Sequence, residues 1–566
     1  MDRNNLSYTG EESSACGVGF IASRKGVFAN EHLLSGLHAL KCVEHRGACG
    51  ADGVTGDGAG IMTDIPFNMF GYEQDTVAIA TLFVTNDPVK QRQSLKIFED
   101  TFEFMGLPIL EYRDVPVNTK VLGEEALATL PAIKHVVIER PAKSRTNLAF
   151  DKLLYMAKQL TMRKLYSTEL VGNLFFTSLS AQTIVYKGLC KADALQDLYP
   201  DLQNPEYKTR FTLFHRRFST NTRTSWDKVQ PFRLIGHNGE INTIAGNRSW
   251  AKSREKMIGA EKYELLTRKG ISDSGSFNEM VEAMRYRSGV PNVEDILALM
   301  VPPASVDNEF YTFWSRAMEP WDGPAFISYA NGYTIGARLD RNGFRPARWA
   351  RTEDHFYLSS EAGTFQVDES KINAKGTLFA GRGVTLDLDP GEVHFRDPSH
   401  SKENEDAKFD ARLTPIPEEV GDPKKSYLEK LPLFSYTDEE LKKVIYPMAT
   451  DGKEPVGSMG DTARLAVLST EPRSFFDHCY QNFSQVTNPP LDYIREQVVT
   501  DLRTHLGKKP NIFEPKELIP PAPAFLLKTP FLSLSQMDYL HSIVGGDLSE
   551  EQIVPVRLSM TFKRTG

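Results

Sequence analysis

Residues 16–22 read Cys16-Gly17-Val18-Gly19-Phe20-Ile21-Ala22, an apolar, small-residue run that begins on a cysteine. Such a run predicts a buried strand. The fifteen residues ahead of it, MDRNNLSYTGEESSA, are polar. They hold neither the apolar core of a secretory signal nor the Arg-rich amphipathic pattern of a transit peptide. A cysteine at the head of a buried strand has two readings. It is a structural thiol, packed as a small hydrophobe, or it becomes a chain terminus when the bond after Ala15 is cut. In the second case sulfur and α-amine share one residue. The amine has a reference pKa of ~7.7–8.0 and the thiol ~8.5, so the amine can serve as the thiol's base, directly or through a water. Gly17, Gly19 and Ala22 also match Gly-x-Gly-x-x-Ala. With no strand before the glycines and no βαβ unit after them, this does not support a dinucleotide site.

The 566 residues suffice for several domains at ~100–200 residues each. Hydrophobic residues make up 40% and charged residues 25%, an ordinary globular balance. The net charge is −8, from 66 basic and 74 acidic residues, with no dense basic block. That excludes nucleic acid as the expected partner, because phosphate binding needs clustered cations. No apolar run approaches the ~18 residues of a membrane span. The five cysteines, Cys16, Cys42, Cys49, Cys190 and Cys479, are sparse and odd in number. They argue against a disulfide framework and for a reducing cytoplasm.

Outward from the first strand, Leu33, Leu34, Leu37, Leu40 and Val43 fall at helical spacing within 31–44. The neighbouring His32, His38 and His45 read as helix-surface or capping residues, and no metal site is expected. Cys42 and Cys49 lack the second pair that a zinc site wants. Residues 47–60 form a Gly-rich loop, either a structural turn or a wall of a pocket. From 76 to 186, β-rich runs alternate with helical ones, which predicts α+β architecture. Strand signals continue at 209–219, 232–242, 324–340 and 355–363, with an Asn331-Gly332 hairpin signal. Residues 251–318 read as mostly helical. A charged, Pro-bearing run at 397–432 reads as a linker. A further unit follows, opening with a helix over Tyr436–Met448 that carries a capping-box pattern of Thr437 and Glu440. The last residues, VPVRLSMTFKRTG, read as a strand.

Three segments carry site-like chemistry. His215-Arg216-Arg217-Phe218-Ser219-Thr220-Asn221-Thr222 ends a strand on two guanidinium groups, the natural bidentate partners of a carboxylate. A surface ion pair is the plain alternative. Gly236-His237-Asn238-Gly239-Glu240 sets an amide side chain beside a glycine N–H, a donor pair suited to an oxyanion, or else a simple turn. Ser272-Asp273-Ser274 offers a carboxylate for an ammonium group, or else an N-cap to a helix from Phe277. Taken with a terminal Cys16 they describe one substrate. Arg217 takes an α-carboxylate, Asp273 an α-ammonium, and Asn238 with Gly239 the oxyanion formed when sulfur attacks a side-chain amide.

The order CGVGF, HRRFSTNT, HNGEIN and SDS resembles class II glutamine amidotransferases, which are N-terminal-nucleophile hydrolases. Longer strings, FSTNTRTSWDKVQPFRLIGHNGEINTIAGNRSW, MEPWDGPAFISYANGYTIGARLDRNGFRPAR and EPVGSMGDTARLAVLS with QVTNPPLDYIRE, are similar to glutamate synthase large subunits. The resemblance implies a four-layer α/β/β/α sandwich over 16–420, a leader of residues 1–15 that is removed, and part of an α/β central domain over 421–566. It implies Cys16 as nucleophile, Arg217 and Asp273 as glutamine ligands, and Asn238 and Gly239 as the oxyanion hole. In the family, ammonia passes to 2-oxoglutarate at a flavin-bearing barrel with an iron–sulfur cluster. FMN and the cluster are therefore expected outside this chain, on a synthase region or partner chain served by ferredoxin or a small reductase subunit. The chain itself is expected to be a fragment or split-gene subunit with no cofactor of its own. A stand-alone glutaminase and an inactive interaction module with a buried Cys16 are the alternatives.

Overall fold

In the computed structural model the run after Cys16 is the strand Gly17–Ser23, buried along its whole length. The structure describes residues 16–50, 52–218, 224–257, 264–268, 270–288, 290, 292–303, 309–389, 391–397, 413–415, 431, 436–452, 504–506, 509, 511–513, 524–527 and 532–544. The expected leader, Cys479, most of the 397–432 linker and the closing strand lie outside these residues. The chain divides into two units, one of residues 1–409 with 509–520, the other of 410–508 with 521–566.

In the first unit, Gly17–Ser23 is the centre of a seven-stranded antiparallel sheet. The order is Ala374–Thr377, Arg348–Arg351, His355–Ser359, Gly17–Ser23, Phe211–Arg216, Ala59–Asp64, Thr183–Gly188. A five-stranded antiparallel sheet runs Val393–Arg396, Gly383–Asp387, Thr334–Leu339, Ala325–Ala330, Ile235–Gly239. One core joins the two: Val18, Phe20, Ala22, Phe211 and Leu213 from the first, Phe326, Ile335, Ala337 and Leu386 from the second. Alternate side chains of the same strands point outward. The outer face of the seven-stranded sheet is covered by the helix Asn30–Cys42, through Leu33, Leu37 and Leu40. The outer face of the five-stranded sheet meets the helices Asp273–Arg287, Val293–Met300 and Glu309–Ala317. This is the α/β/β/α sandwich. Ile512 and Phe513 are buried in that last helical layer, and Lys509 lies 4.2 Å over the Trp250 ring.

Between the second and third strands of the large sheet in chain order sits a four-stranded antiparallel sheet, Ile109–Asp114, Ala132–Glu139, Val77–Val84, Leu174–Ser180. It carries the helices Pro88–Phe104 and Asn147–Ser167 on one face. Its last strand turns directly into Thr183–Gly188, so the small sheet hangs from the edge of the large one. The Asn331-Gly332 hairpin forms. Asn331 Oδ1 accepts from the Tyr333 and Thr334 N–H groups, and Gly332 takes φ 82°.

In the second unit the described residues hold a three-stranded sheet, Leu413–Pro415, Ala524–Leu527, Thr504–Leu506, and the helix Leu534–Val544. The Thr437–Glu440 capping box forms with both reciprocal bonds. The helix it starts passes through a π-helical stretch, Leu441–Ile445, before ending at Asp451. Among the described residues no helix is long and apolar enough to cross a membrane.

Candidate active site

Gly17 fixes where Cys16 starts. A Cβ on Gly17 would lie 2.5 Å from Val43 at the end of the helix Asn30–Cys42, so only glycine lets helix and strand approach this closely. The Gly-x-Gly run is thus packing inside a strand, not a phosphate turn. Beside it, Ser360 holds the strand through both backbone groups of Val18, its N–H donating to Val18 O at 2.8 Å and its Oγ accepting from Val18 N–H at 3.1 Å.

Cys16 lies in the core between the two sheets, 4% exposed. Its backbone is clamped across the two sheets by one side chain. The Cys16 N–H donates to Asn238 Oδ1 at 3.1 Å, and Asn238 Nδ2 donates to the Cys16 carbonyl at 2.8 Å. Burial pushes the Cys16 thiol up to about 11; Arg217 and Arg345 pull it down, and Asp57 and Asp273 push it up. Those four charges mark the surroundings of the sulfur.

The two consecutive arginines have different tasks. Arg216 is wholly buried and saturated by Glu44 at 2.9 and 3.0 Å, by the Gly58 carbonyl at 2.7 Å and by Asp57. Arg217 turns the other way. Its backbone takes φ 102°, a conformation that costs a non-glycine residue about 1–3 kcal/mol. Its N–H donates to Gly58 O at 2.7 Å, which helps hold that turn. Asp57 bridges the pair, with Oδ2 2.9 Å from Arg217 Nε. Burial raises the Asp57 carboxyl above its usual range, against the pull of Arg216. Residues 219–222, the rest of the HRRFSTNT string, lie outside the described residues.

Asp273 is the first residue of the helix Asp273–Arg287, and Ser272 is its N-cap, Oγ accepting from Gly275 N–H at 3.0 Å. The helix therefore starts four residues before Phe277, and the capping role considered for Asp273 falls to its neighbour. The Asp273 carboxylate accepts from the N–H groups of Ile241 at 3.0 Å and Ser274 at 2.7 Å. Burial raises its carboxyl above the usual range while these donors lower it. Gly239 ends the strand Ile235–Gly239 with φ 150°, where a Cβ would stand 1.8 Å from Pro324 O. No other residue fits. His237, between the sheets and this helix, has Nδ1 2.6 Å from Ser274 Oγ.

Of the sequence-derived residues, Arg217 and Asp273 thus act on the Cys16 thiol and Asn238 holds the Cys16 backbone, with Gly239 next to it in the strand. Sequence reasoning gave no role to Asp57, Arg345 or Ser360. Asp57 was within reach, since it is one of two acidic residues, with Asp52, in the Gly-rich loop whose pocket role stood open. Arg345 and Ser360 arrive from bends beside the strands Arg348–Arg351 and His355–Ser359, over three hundred residues downstream, and no local pattern marks them. A separate cavity of about 560 Å³ lies on the flank, among Phe83–Asp87, Ala128–Pro131, Ser225–Asp227 and Gly270–Ile271. It does not include Cys16.

Comparison with known proteins gives two consecutive matches. The family described as "Glutamine amidotransferases class-II" matches residues 16–409, and "Glutamate synthase central domain" matches 429–566. The ferredoxin-dependent glutamate synthase 2 (chloroplastic) of Arabidopsis thaliana is 36% identical over 591 residues, 96% of this chain and 35% of the relative. The ferredoxin-dependent glutamate synthase 2 of Synechocystis sp. is 36% identical over 547 residues, 89% of this chain and 34% of the relative. The chain spans about a third of the length of the curated relatives it matches. Among solved structures, the glutamine phosphoribosylpyrophosphate amidotransferase from B. subtilis covers 57% of this chain and 49% of its own, at 12% identity and a TM-score of 0.26. The match over residues 16–409, on a sandwich that gathers Cys16, Arg217, Asn238, Gly239 and Asp273, means that the chain belongs to the class-II glutamine amidotransferase family.

Proposed function

We propose that this chain hydrolyses glutamine to glutamate and ammonia through a thioester on Cys16. The observation that carries the reading is the pairing of opposite charges around one thiol, with the Arg217 guanidinium and the Asp273 carboxylate both acting on it. An amino acid lying between them has its α-carboxylate on Arg217 and its α-ammonium on Asp273, and its side-chain amide reaches the sulfur. With residues 1–15 attached, Cys16 has a peptide N–H and no base of its own, and burial keeps the thiol protonated. Cleavage after Ala15 converts that nitrogen to an amine, which Asn238 Oδ1 holds 3.1 Å away. The amine takes the thiol proton, sulfur bonds to the amide carbon, and the C–N bond breaks as the proton passes to the leaving ammonia. Water then splits the thioester, releasing glutamate and restoring the thiol.

Asn238 has a double part in this scheme. One Nδ2 hydrogen is committed to the Cys16 carbonyl, and an amide carries two. The second hydrogen and the Gly239 N–H form the oxyanion pair. Gly239, free of a Cβ that would meet Pro324 O, presents that N–H at the strand end.

The relatives are named glutamate synthases, and in this reading the ammonia is destined for reductive amination of 2-oxoglutarate to glutamate. The names of those relatives favour ferredoxin over a nicotinamide reductase as electron donor for the whole protein. FMN and an iron–sulfur cluster belong outside this chain. A cluster needs convergent cysteines, and the described ones lie apart: Cys16 between the sheets, Cys190 in the core under the helix Asn30–Cys42, Cys42 and Cys49 exposed. Four unpaired thiols also suit a reducing cytoplasm.

The test is ammonia release from glutamine by the processed chain. Cys16→Ala abolishes it and Cys42→Ala leaves it intact. Unchanged turnover in the Cys16 variant contradicts the mechanism.

A further inference from the structure

At the opposite end of the Cys16 strand, three side chains from two distant segments meet. Glu31 and His32 open the helix Asn30–Cys42, and His355 opens the strand His355–Ser359, opposite Ser23 in the register. His32 is 1% exposed rather than on the helix surface. Its Nδ1 lies 2.7 Å from the Thr209 carbonyl, a bond that only an Nδ1–H can make, so Nε2 carries the lone pair. That Nε2 faces His355 Nε2 at 3.0 Å. Glu31 Oε1 stands 3.8 Å from His32 Nε2 and 3.6 Å from His355 Nε2.

A tetrahedral ion with Zn–N of ~2.0–2.1 Å and Zn–O of ~2.0–2.2 Å sets its ligand atoms roughly 3.3–3.5 Å apart. The three distances of this cluster bracket that edge. Thr209 fixes the tautomer of His32, as a backbone carbonyl does behind metal-bound histidines. The side chains of Glu31 and His355 are 71% and 21% exposed, which leaves an entry path and room for a water.

We propose that Glu31, His32 and His355 bind one zinc-type divalent cation, with water as fourth ligand. The ion ties the first turn of the outer helix to the sheet. Six residues of strand at ~3.3 Å each separate it from Gly17, about 20 Å from the thiol, so it stabilises the sandwich without touching the chemistry.

The test is titration of the chelator-stripped chain with Zn²⁺ by calorimetry and with Co²⁺ by visible absorption. Exposed Cys42, with Sγ 3.5 Å from His38 Nε2, is a rival pair, so Cys42→Ala is titrated in parallel. One Zn²⁺ per chain is expected in both proteins. His355→Ala, an accessible position, weakens binding by at least the roughly 10–100-fold that losing a supporting partner costs, and Glu31→Gln weakens it too. Co²⁺ gives ligand-field bands without thiolate charge transfer, and Zn²⁺ raises Tm in the wild type but not in His355→Ala. Absence of saturable binding, an affinity in His355→Ala within twofold of wild type, or a thiolate band overturns the proposal. The two rings then form only an Nε2–H···Nε2 hydrogen bond.

Discussion

Asp57 makes two adjacent arginines different. It shares its carboxylate between a buried Arg216 and the Nε of Arg217, so the sequence pattern HRRF carries one structural guanidinium and one that faces the thiol. Arg217→Lys keeps the charge and loses the planar fork. At ~1.5–3 kcal/mol for a charge-assisted bond, KM for glutamine should rise about 10–100-fold with a smaller change in kcat. A KM within twofold of wild type would remove Arg217 from the substrate carboxylate. The thiol gives a pH prediction. In the chain that keeps residues 1–15, Cys16 is pushed up to about 11, and only the thiolate is nucleophilic. Below that value the thiolate fraction grows tenfold per pH unit, so alkylation of Cys16 by iodoacetamide, followed by mass spectrometry, should climb about tenfold per unit from pH 7 to 10. A rate independent of pH over that range would mean that the thiol is not held protonated.

Elements were legible where composition alone decides them. The strands at 77–84 and 211–216, the helices over 88–104 and 147–167 and the Thr437 capping box all follow from periodicity and caps. The strands Ile109–Asp114, Arg348–Arg351 and Val393–Arg396 were not legible, because they are half-exposed and mix charged with apolar residues; pairing with a neighbour, not their own pattern, makes them strands. The start of the Asp273 helix was set too late because Ser272, a good N-cap, is followed by Asp-Ser-Gly-Ser, residues with little helical preference of their own. At the site, the types Arg, Asn, Gly and Asp were readable, while the clamp of Asn238 on the Cys16 backbone was not. The close approach at Gly17 is testable at this scale. Gly17→Ala puts a methyl 2.5 Å from Val43 and should cost about 1–3 kcal/mol by urea unfolding, as overpacking does. Val43→Ala in the same chain should recover part of that loss. No loss in Gly17→Ala would show that the helix end can move aside.

Across the first unit, the helix that begins with Asp273 is anchored by a buried charge network. Arg233 bonds Glu279 at 2.5 Å and Glu282 at 2.7 and 2.8 Å, and Lys158 reaches both acids. Against burial, which pushes it up, Arg233, Lys158 and Arg268 hold the Glu279 carboxyl well below its usual range. The network ties the small-sheet helix Asn147–Ser167 to the helix that Asp273 opens, so the Asp273 carboxylate, the proposed ammonium ligand, rests on a rigid support rather than a loop. Cys16 is tied in turn to the facing sheet by Asn238. In the proposed mechanism, removal of residues 1–15 is the step that turns this geometry on. Intact mass, read before and after exposure to a glutamine-like chloroketone, examines that step and the nucleophile together. The expected result is an active chain that begins at Cys16 and gains one label on that residue. A chain that hydrolyses glutamine while still beginning at Met1, or that begins at Cys16 and takes its label on another cysteine, would contradict it.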